Sequence, residues 1–281
     1  MDYQVSVVGG GISGALAALY LGKSRVKTCL IDRGKPSQRL SNPYIGKTTS
    51  LNLSSIASLR DVGIWEDIKK NAQEFNEIYV WDAEGSSSVQ FKAEEISRND
   101  LGVIVHNNII LESIYSKLEQ ISEVTLIEKE SLKEISQDQN KIELTSDSGL
   151  RIASELLIGA DGSLSKVRDF SRIPIRTWSY EQLAIVSSVT TEVPLDKTAF
   201  QIFTDTGPIA LLPLMVGENV ASLIWSTDEA YGKKLLELDN DELSQELRLK
   251  TEGKFGDISF CLLYTSPSPR DQRGSGMASC G

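Results

Sequence analysis

Gln4 to Val8 is a short run built on three valines that breaks at Gly9, Gly10 and Gly11, after which small and apolar residues stand at helical spacing from Ile12 to Leu21. A second apolar run, "VKTCLID" (residues 26–32), follows. The opening therefore reads strand, glycine turn, helix, strand, a βαβ unit that begins a parallel sheet. Further on, "LNLSSIASLRDVGIW" puts Leu53, Ile56, Leu59 and Val62 on one helical face and stops at Gly63. Residues 76–92 predict two strands joined by an Ala-Glu-Gly-Ser turn, an antiparallel insertion rather than another βα step. Leu111 to Ile121 predicts a helix, three short strand-like runs lead to Ile152, and "ELLIGADG" predicts a second strand-to-helix junction. From Ile175 to Trp225 the apolar period is two, broken by Gly, Pro and Asp, as in a mainly antiparallel sheet. The stretch "DEAYGKKLLELDNDELSQELRLK" then predicts two amphipathic helices whose charges form a solvated face.

Composition narrows the chemistry. With 281 residues and 40% hydrophobic content the chain can bury the core of one large or two interleaved domains. A formal charge of −10 argues against a nucleic-acid partner, which needs a surplus of Lys and Arg. No basic and apolar leader precedes Gln4, so a cytoplasmic location is expected. The longest apolar stretch, "IALLPLMV", is too short to span a bilayer and contains Pro213. The cysteines, Cys29, Cys261 and Cys280, do not make a disulfide framework, and Cys29 reads as a small buried strand residue. The single histidine, His106, reads as a surface residue at a strand end, and no metal site or catalytic triad is expected around it. Trp65, Trp81, Trp178 and Trp225 all lie in apolar runs and are expected in the core. No catalytic side chain can be named, so the reactive group is expected to be a cofactor.

Gly9, Gly11 and Gly14 fill the G-x-G-x-x-G pattern, between a strand and a helix opened by Ile12 and Ser13. The pattern allows a tight turn, backbone contact with a pyrophosphate at a helix N-terminus, and close helix-to-strand packing. Asp32 ends the next strand, where a carboxylate can accept ribose hydroxyls or simply form the turn before Gly34; Arg33 beside it is a further candidate contact.

The segment "LLIGADGSLSKVRD" (residues 156–169) resembles the Asp-Gly motif of flavin-dependent aromatic hydroxylases. The stretches "GKTTSLNLSSIASLRDVGIW", "LGVIVHNNIILESIYSKL", "WSYEQLAIVSSV", "GPIALLPL" and "ASLIWS" narrow the resemblance to the ubiquinone-biosynthesis hydroxylases. It covers nearly everything from Tyr3 to Trp225. It implies an α/β fold, a Rossmann-like FAD-binding domain (residues 1–73 and 99–172) interleaved with a mainly antiparallel β substrate domain (74–98 and 173–260). By resemblance Asp161 and Gly162 form a loop near the FAD pyrophosphate and the path of NAD(P)H. Ser163 and Ser165 would cap the helix, and Arg168 would fix the loop through the Asp161 carboxylate or nearby backbone. Asp161 could equally cap that helix with no ligand. Lys47 and Asn108 stand where the family carries longer or forked basic residues beside the cofactor, and Tyr180 and Gln182 where its "YGQ" strand nears the substrate.

The activity implied is a monooxygenase reaction. NAD(P)H reduces bound FAD, and dioxygen activated there hydroxylates the ring of a polyprenyl phenol, with peripheral membrane contact or a biosynthetic complex as the partner. Two other readings stay open: another FAD-dependent oxidoreductase of the same fold, and an inactive truncated fragment. The second rests on the end of the chain. Residues 261–271, "CLLYTSPSPRD", are what one frame of a common transposase sequencing adapter encodes, so residues 261–281 read as a non-native tail rather than a partner-binding disordered one. A third family signature, a Gly-Asp/Asn loop running into a His-x-x-x-Pro-x-x-Gly-Gln-Gly-type stretch, is expected after residue 260 and is not in this chain. Weak FAD binding, or none, by the chain as it stands follows as an expectation, with firm binding by the complete protein.

Overall fold

The computed structural model describes residues 2–36, 46–139 and 141–267, the last six through the backbone alone. In chain order the elements begin β1 (Asp2–Val8), α1 (Ile12–Lys23), β2 (Thr28–Asp32), β3 (Thr48–Leu51), α2 (Leu53–Asp61) and α3 (Trp65–Lys69). They continue β4 (Gln73–Phe75), β5 (Glu77–Asp82), β6 (Ser88–Lys92), β7 (Gly102–His106), α4 (Asn107–Leu118), β8 (Val124–Glu128), β9 (Leu132–Gln137) and β10 (Ile142–Ser146). The last are β11 (Arg151–Gly159), α5 (Lys166–Phe170), β12 (Gln182–Thr191), β13 (Thr198–Thr204), β14 (Gly207–Pro213), β15 (Val220–Asp228), α6 (Glu229–Glu237), α7 (Asn240–Lys250) and β16 (Ile258–Pro267).

Two compact units share these elements. The first comprises Met1–Pro43, Ala57–Ile68 and Asn107–Pro174. Its sheet runs β8-β2-β1-β11-β10-β9, parallel from β8 to β11 and antiparallel in β10 and β9. The central strands are apolar because both faces are covered: Cys29, Leu30 and Ile31 are buried, each aliphatic contributing about 1.5–3 kcal/mol. Cys29 is indeed a buried strand residue, with Ser6 Oγ 3.1 Å from its sulfur, and burial pushes its thiol pKa up. Helix α1 packs on α4.

The second unit comprises Tyr44–Ile56, Lys69–His106 and Ile175–Gly281. Its main sheet runs β16-β12-β15-β14-β13-β5-β6, antiparallel except where β5 meets β13. Alternation in β14 follows the two-residue period: Ile209, Leu211 and Pro213 face in. A smaller sheet, β3-β7-β4, moves segments expected in the first domain, residues 44–56, 69–73 and 99–106, into the second unit. The physical reason is pairing: β7 is the middle strand, and Phe75 and Ile104 pack with Ala199 and Leu214.

The middle position also corrects the reading of His106, which is buried, 2% exposed, rather than on the surface. Trp65, Trp81 and Trp225 are buried as expected, but Trp178 is half exposed because residues 173–181 form no regular element. The backbone of residues 261–267 extends β16 along β12, with a register shift between Ser188 and Val189 opposite Cys261, where the adapter-like sequence starts. Residues 268–281 lie outside the described residues.

Candidate functional site

Strands β1 and β11 lie side by side, Val8 opposite Gly159, so the turns that follow them leave the sheet together. Gly9 N–H donates to Ile31 O at 2.8 Å and Ala160 N–H to Val8 O at 2.7 Å, extending both ladders into the turns. Gly9 has φ +106°, and the Ala160 carbonyl occupies the position a Cβ would take. Gly14 meets the Gly9 carbonyl in the same way, which lets α1 start directly against the turn. Gly11 is the N-cap of α1 and offers no side-chain cap. The amides of Ile12, Ser13 and Gly14 therefore form the positive end of a twelve-residue helix with no cap from that residue.

Asp32, at the end of β2, is tied into the turn. Its Oδ2 accepts from Gly10 N–H at 2.6 Å and its Oδ1 from Gly34 N–H at 2.7 Å. Asp32 thus forms the turn, one of its two expected roles, and also lines the cleft, each oxygen retaining a lone pair for a further donor. Arg33 next to it is exposed on the same cleft.

The Asp-Gly turn is organised from within. Asp161 accepts from Ser165 Oγ and, at 3.2 Å, from Val167 N–H, so it caps the start of α5 while bordering the cleft. Ser165 is the N-cap of α5, accepting from Arg168 N–H at 3.0 Å. Ser163 is not a cap; its carbonyl accepts from Arg168 Nη2 at 2.8 Å. Arg168 therefore holds the loop through backbone, the second of its two expected partners, because the Asp161 oxygens are turned to α5. Gly162 has φ +87° and open space where a side chain would be.

Together these residues border an open cleft of about 310 Å³ at the C-terminal ends of β1, β2 and β11, where ligands of open α/β sheets bind. Its lining includes Gly9, Gly11, Asp32, Arg33, Asp161 and Gly162, from both turns. Sequence reasoning missed two charged lining residues, Glu130 and Lys166. Glu130 is fixed by Ser148 Oγ, 2.8 and 2.9 Å from its two oxygens, and hydrogen bonding from the Ser146 and Ser148 hydroxyls holds its carboxyl pKa below the usual value. Lys166 donates to Leu132 O at 2.9 Å. The only sequence signal for them was position, just past one strand and just inside one helix.

The remaining candidates lie elsewhere. Asn108 is in the first turn of α4, in the first unit. Lys47 precedes β3 and is exposed, and Tyr180 and Gln182 precede and open β12, all in the second unit. Tyr180 is 47% exposed with its ring 6.1 Å from that of Trp178. Gln182 Oε1 is buried with no hydrogen-bond partner. Burial pushes the His106 imidazole pKa down, offset in part by the Gly46 backbone. Among the described residues no group of His, Cys, Asp and Glu has the arrangement of a metal site, and no helix is long and apolar enough to cross a membrane.

The chain is similar to several known proteins. The chain is 30% identical to the mitochondrial ubiquinone biosynthesis monooxygenase COQ6 of Dictyostelium discoideum, covering 88% of this chain and 57% of that protein. Against COQ6 of Caenorhabditis elegans it is 31% identical over 87% of this chain and 56% of the relative. Against 3-demethoxyubiquinol 3-hydroxylase of Escherichia coli it is 28% identical over 91% and 65%. The chain spans little more than half the length of these COQ6 relatives. In fold it is similar to PqsL of Pseudomonas aeruginosa in complex with 2-aminobenzoylacetate, with a TM-score of 0.78 at 15% identity over 93% of this chain and 74% of that one. It is also similar to p-nitrophenol 4-monooxygenase PnpA of Pseudomonas putida, with a TM-score of 0.71 at 17% identity over 94% and 67%. Residues 2–261, with both turns that border the cleft, match the FAD binding domain family, and the chain belongs to it.

Proposed function

We propose that the cleft holds FAD and that this chain is the cofactor-binding and substrate-strand part of an aromatic-ring monooxygenase of ubiquinone biosynthesis. The observation that carries the reading is the meeting of two turns on one cleft, one with an uncapped helix start and one closed by Asp161. These residues fit the cofactor. The amides of Gly11, Ile12, Ser13 and Gly14 would hold its diphosphate, Asp32 its ribose hydroxyls, and the Asp161–Gly162 turn the opposite wall. Lys47 and Asn108 are further residues proposed, by the family resemblance, to contact the cofactor. When bound, FAD supplies the redox chemistry, with NAD(P)H as reductant and dioxygen as oxygen source.

The substrate in this reading is a polyprenyl phenol. Support comes from the names of the similar proteins, and Tyr180 and Gln182 are the residues proposed near its ring. A long prenyl chain partitions into lipid, so the reading puts the protein in peripheral contact with a membrane or a biosynthetic complex.

The test uses the full-length protein with NAD(P)H, a polyprenyl phenol and ¹⁸O₂. A product carrying one ¹⁸O atom supports the reading. Oxidation of NAD(P)H with no labelled product across a series of polyprenyl phenols would instead favour a different FAD-dependent oxidoreductase. The chain itself should bind FAD saturably but more weakly than the full-length protein.

A further inference from the structure

Tyr115 lies on the buried face of α4, 105 positions along the chain from the glycine turn, yet its hydroxyl donates to Gly10 O at 2.9 Å. The amide of the same residue donates to Asp32 Oδ2 at 2.6 Å. Gly10 is thus gripped at both its polar groups, one from β2 and one from α4. The grip needs a glycine: a Cβ there would come within 2.5 Å of Tyr115 Oη, 2.7 Å of Pro36 Cγ and 3.1 Å of Asp32 Cβ.

The consequence falls on the next residue. No peptide bond among the described residues is cis. In a trans peptide the C=O of one residue and the N–H of the next point in opposite directions within one plane. With the Gly10 carbonyl drawn into the fold by Tyr115, the Gly11 N–H faces the other way. Gly11 lines the cleft and has nothing within 4 Å of where its Cβ would be.

We propose that Tyr115 is a positioning residue that aims the Gly11 N–H at the diphosphate of the bound cofactor. The proposal rests on the cofactor reading above and adds a residue that touches no ligand. Burial, reinforced by the charges of Asp32 and Glu128, drives the phenol pKa upward, so the hydroxyl remains a donor at every physiological pH.

The experiment is calorimetric titration of the chain with ADP, which carries a diphosphate, and with adenosine, which does not. Tyr115→Phe should weaken ADP roughly five- to tenfold, the loss of one hydrogen bond's ordering effect, and leave adenosine within about twofold. Tyr231→Phe, which removes a hydroxyl bonded to Glu246 in the second unit, should change neither. Equal weakening of both ligands, or unchanged ADP binding, overturns the role of Tyr115 alone. A wild-type chain that binds neither ligand overturns the cofactor reading and this assignment with it. If Tyr115→Phe does not fold, the wild-type chain labelled with ¹⁵N-glycine decides the matter. The Gly11 amide should shift with ADP and not with adenosine, and an unmoved Gly11 amide contradicts the proposal.

Discussion

The carbonyl of Ala160 sits where a side chain on Gly9 would be, so the turn after β1 and the turn after β11 meet backbone to backbone. That contact makes two motifs, about 150 residues apart in the sequence, the walls of one cleft. It also excludes any side chain at position 9, independently of the positive φ there.

Gly9→Ala is therefore expected to destabilise the first unit by ~1–3 kcal/mol and to abolish FAD binding, through the displaced Ala160 carbonyl and the strained φ. Thermal melting and flavin fluorescence titration check the two effects. Unchanged FAD affinity would show that the turns do not need this approach.

Asp161→Ala removes the acceptor for Ser165 Oγ and Val167 N–H, and Ser165→Ala removes the N-cap of α5. Each should cost ~0.5–2 kcal/mol, and the double variant less than the sum, because the two side chains act as one cap. Urea denaturation of the four proteins of the cycle measures the coupling. Strict additivity would mean that the Asp161–Ser165 bond does not organise the loop.

His106 gives a pH dependence with a defined sign. Its pKa is lowered in the folded state by burial, so the unfolded chain binds the proton more readily below its ordinary value of 6.5. Stability from this residue is complete above that pH and is lost as pH falls from about 6.5 toward its lower folded value. Melting temperatures between pH 7.5 and 5.0 should fall for the wild type and fall less for His106→Gln. Parallel curves for the two proteins would contradict the assignment.

In the second unit, Lys254 Nζ lies 3.8 Å from the ring centre of Tyr79, 4.4 Å from Trp81 and 5.3 Å from Phe200. Beside it, Trp81 Nε1 donates to Glu252 at 3.2 Å and Phe255 is buried in the core. Lys254→Met should lose ~0.5–1 kcal/mol and Lys254→Arg should keep most of it, read by denaturant midpoints. Equal stability of all three proteins would remove cation–π attraction from the account of this loop.

What the sequence reveals and what it hides divide along a physical line. The βαβ opening, the hairpin of β5 and β6 and the two helices α6 and α7 follow from local periodicity, which needs no knowledge of distant partners. The sheet β3-β7-β4 does not, because β4 has three residues and its partner strand is remote, and with it went the burial of His106. At the site, the glycine turn and Asp161 are legible because each interrupts an apolar strand. Tyr115 is not: it occupies an apolar helix stripe with Ile114 and Leu118, and only the fold brings its hydroxyl to Gly10. The Arg168 contact was half legible: the family resemblance implied that it holds the loop, but the choice of Ser163 O depends on where Asp161 turns.

Hydrogen–deuterium exchange of the chain with and without saturating FAD tests most directly whether both turns hold one ligand. Slowed exchange at residues 9–14 and at 160–167 together, with most of the second unit's sheet unchanged, is the predicted result. Protection at only one of the two turns, or at neither, would contradict a shared cofactor cleft.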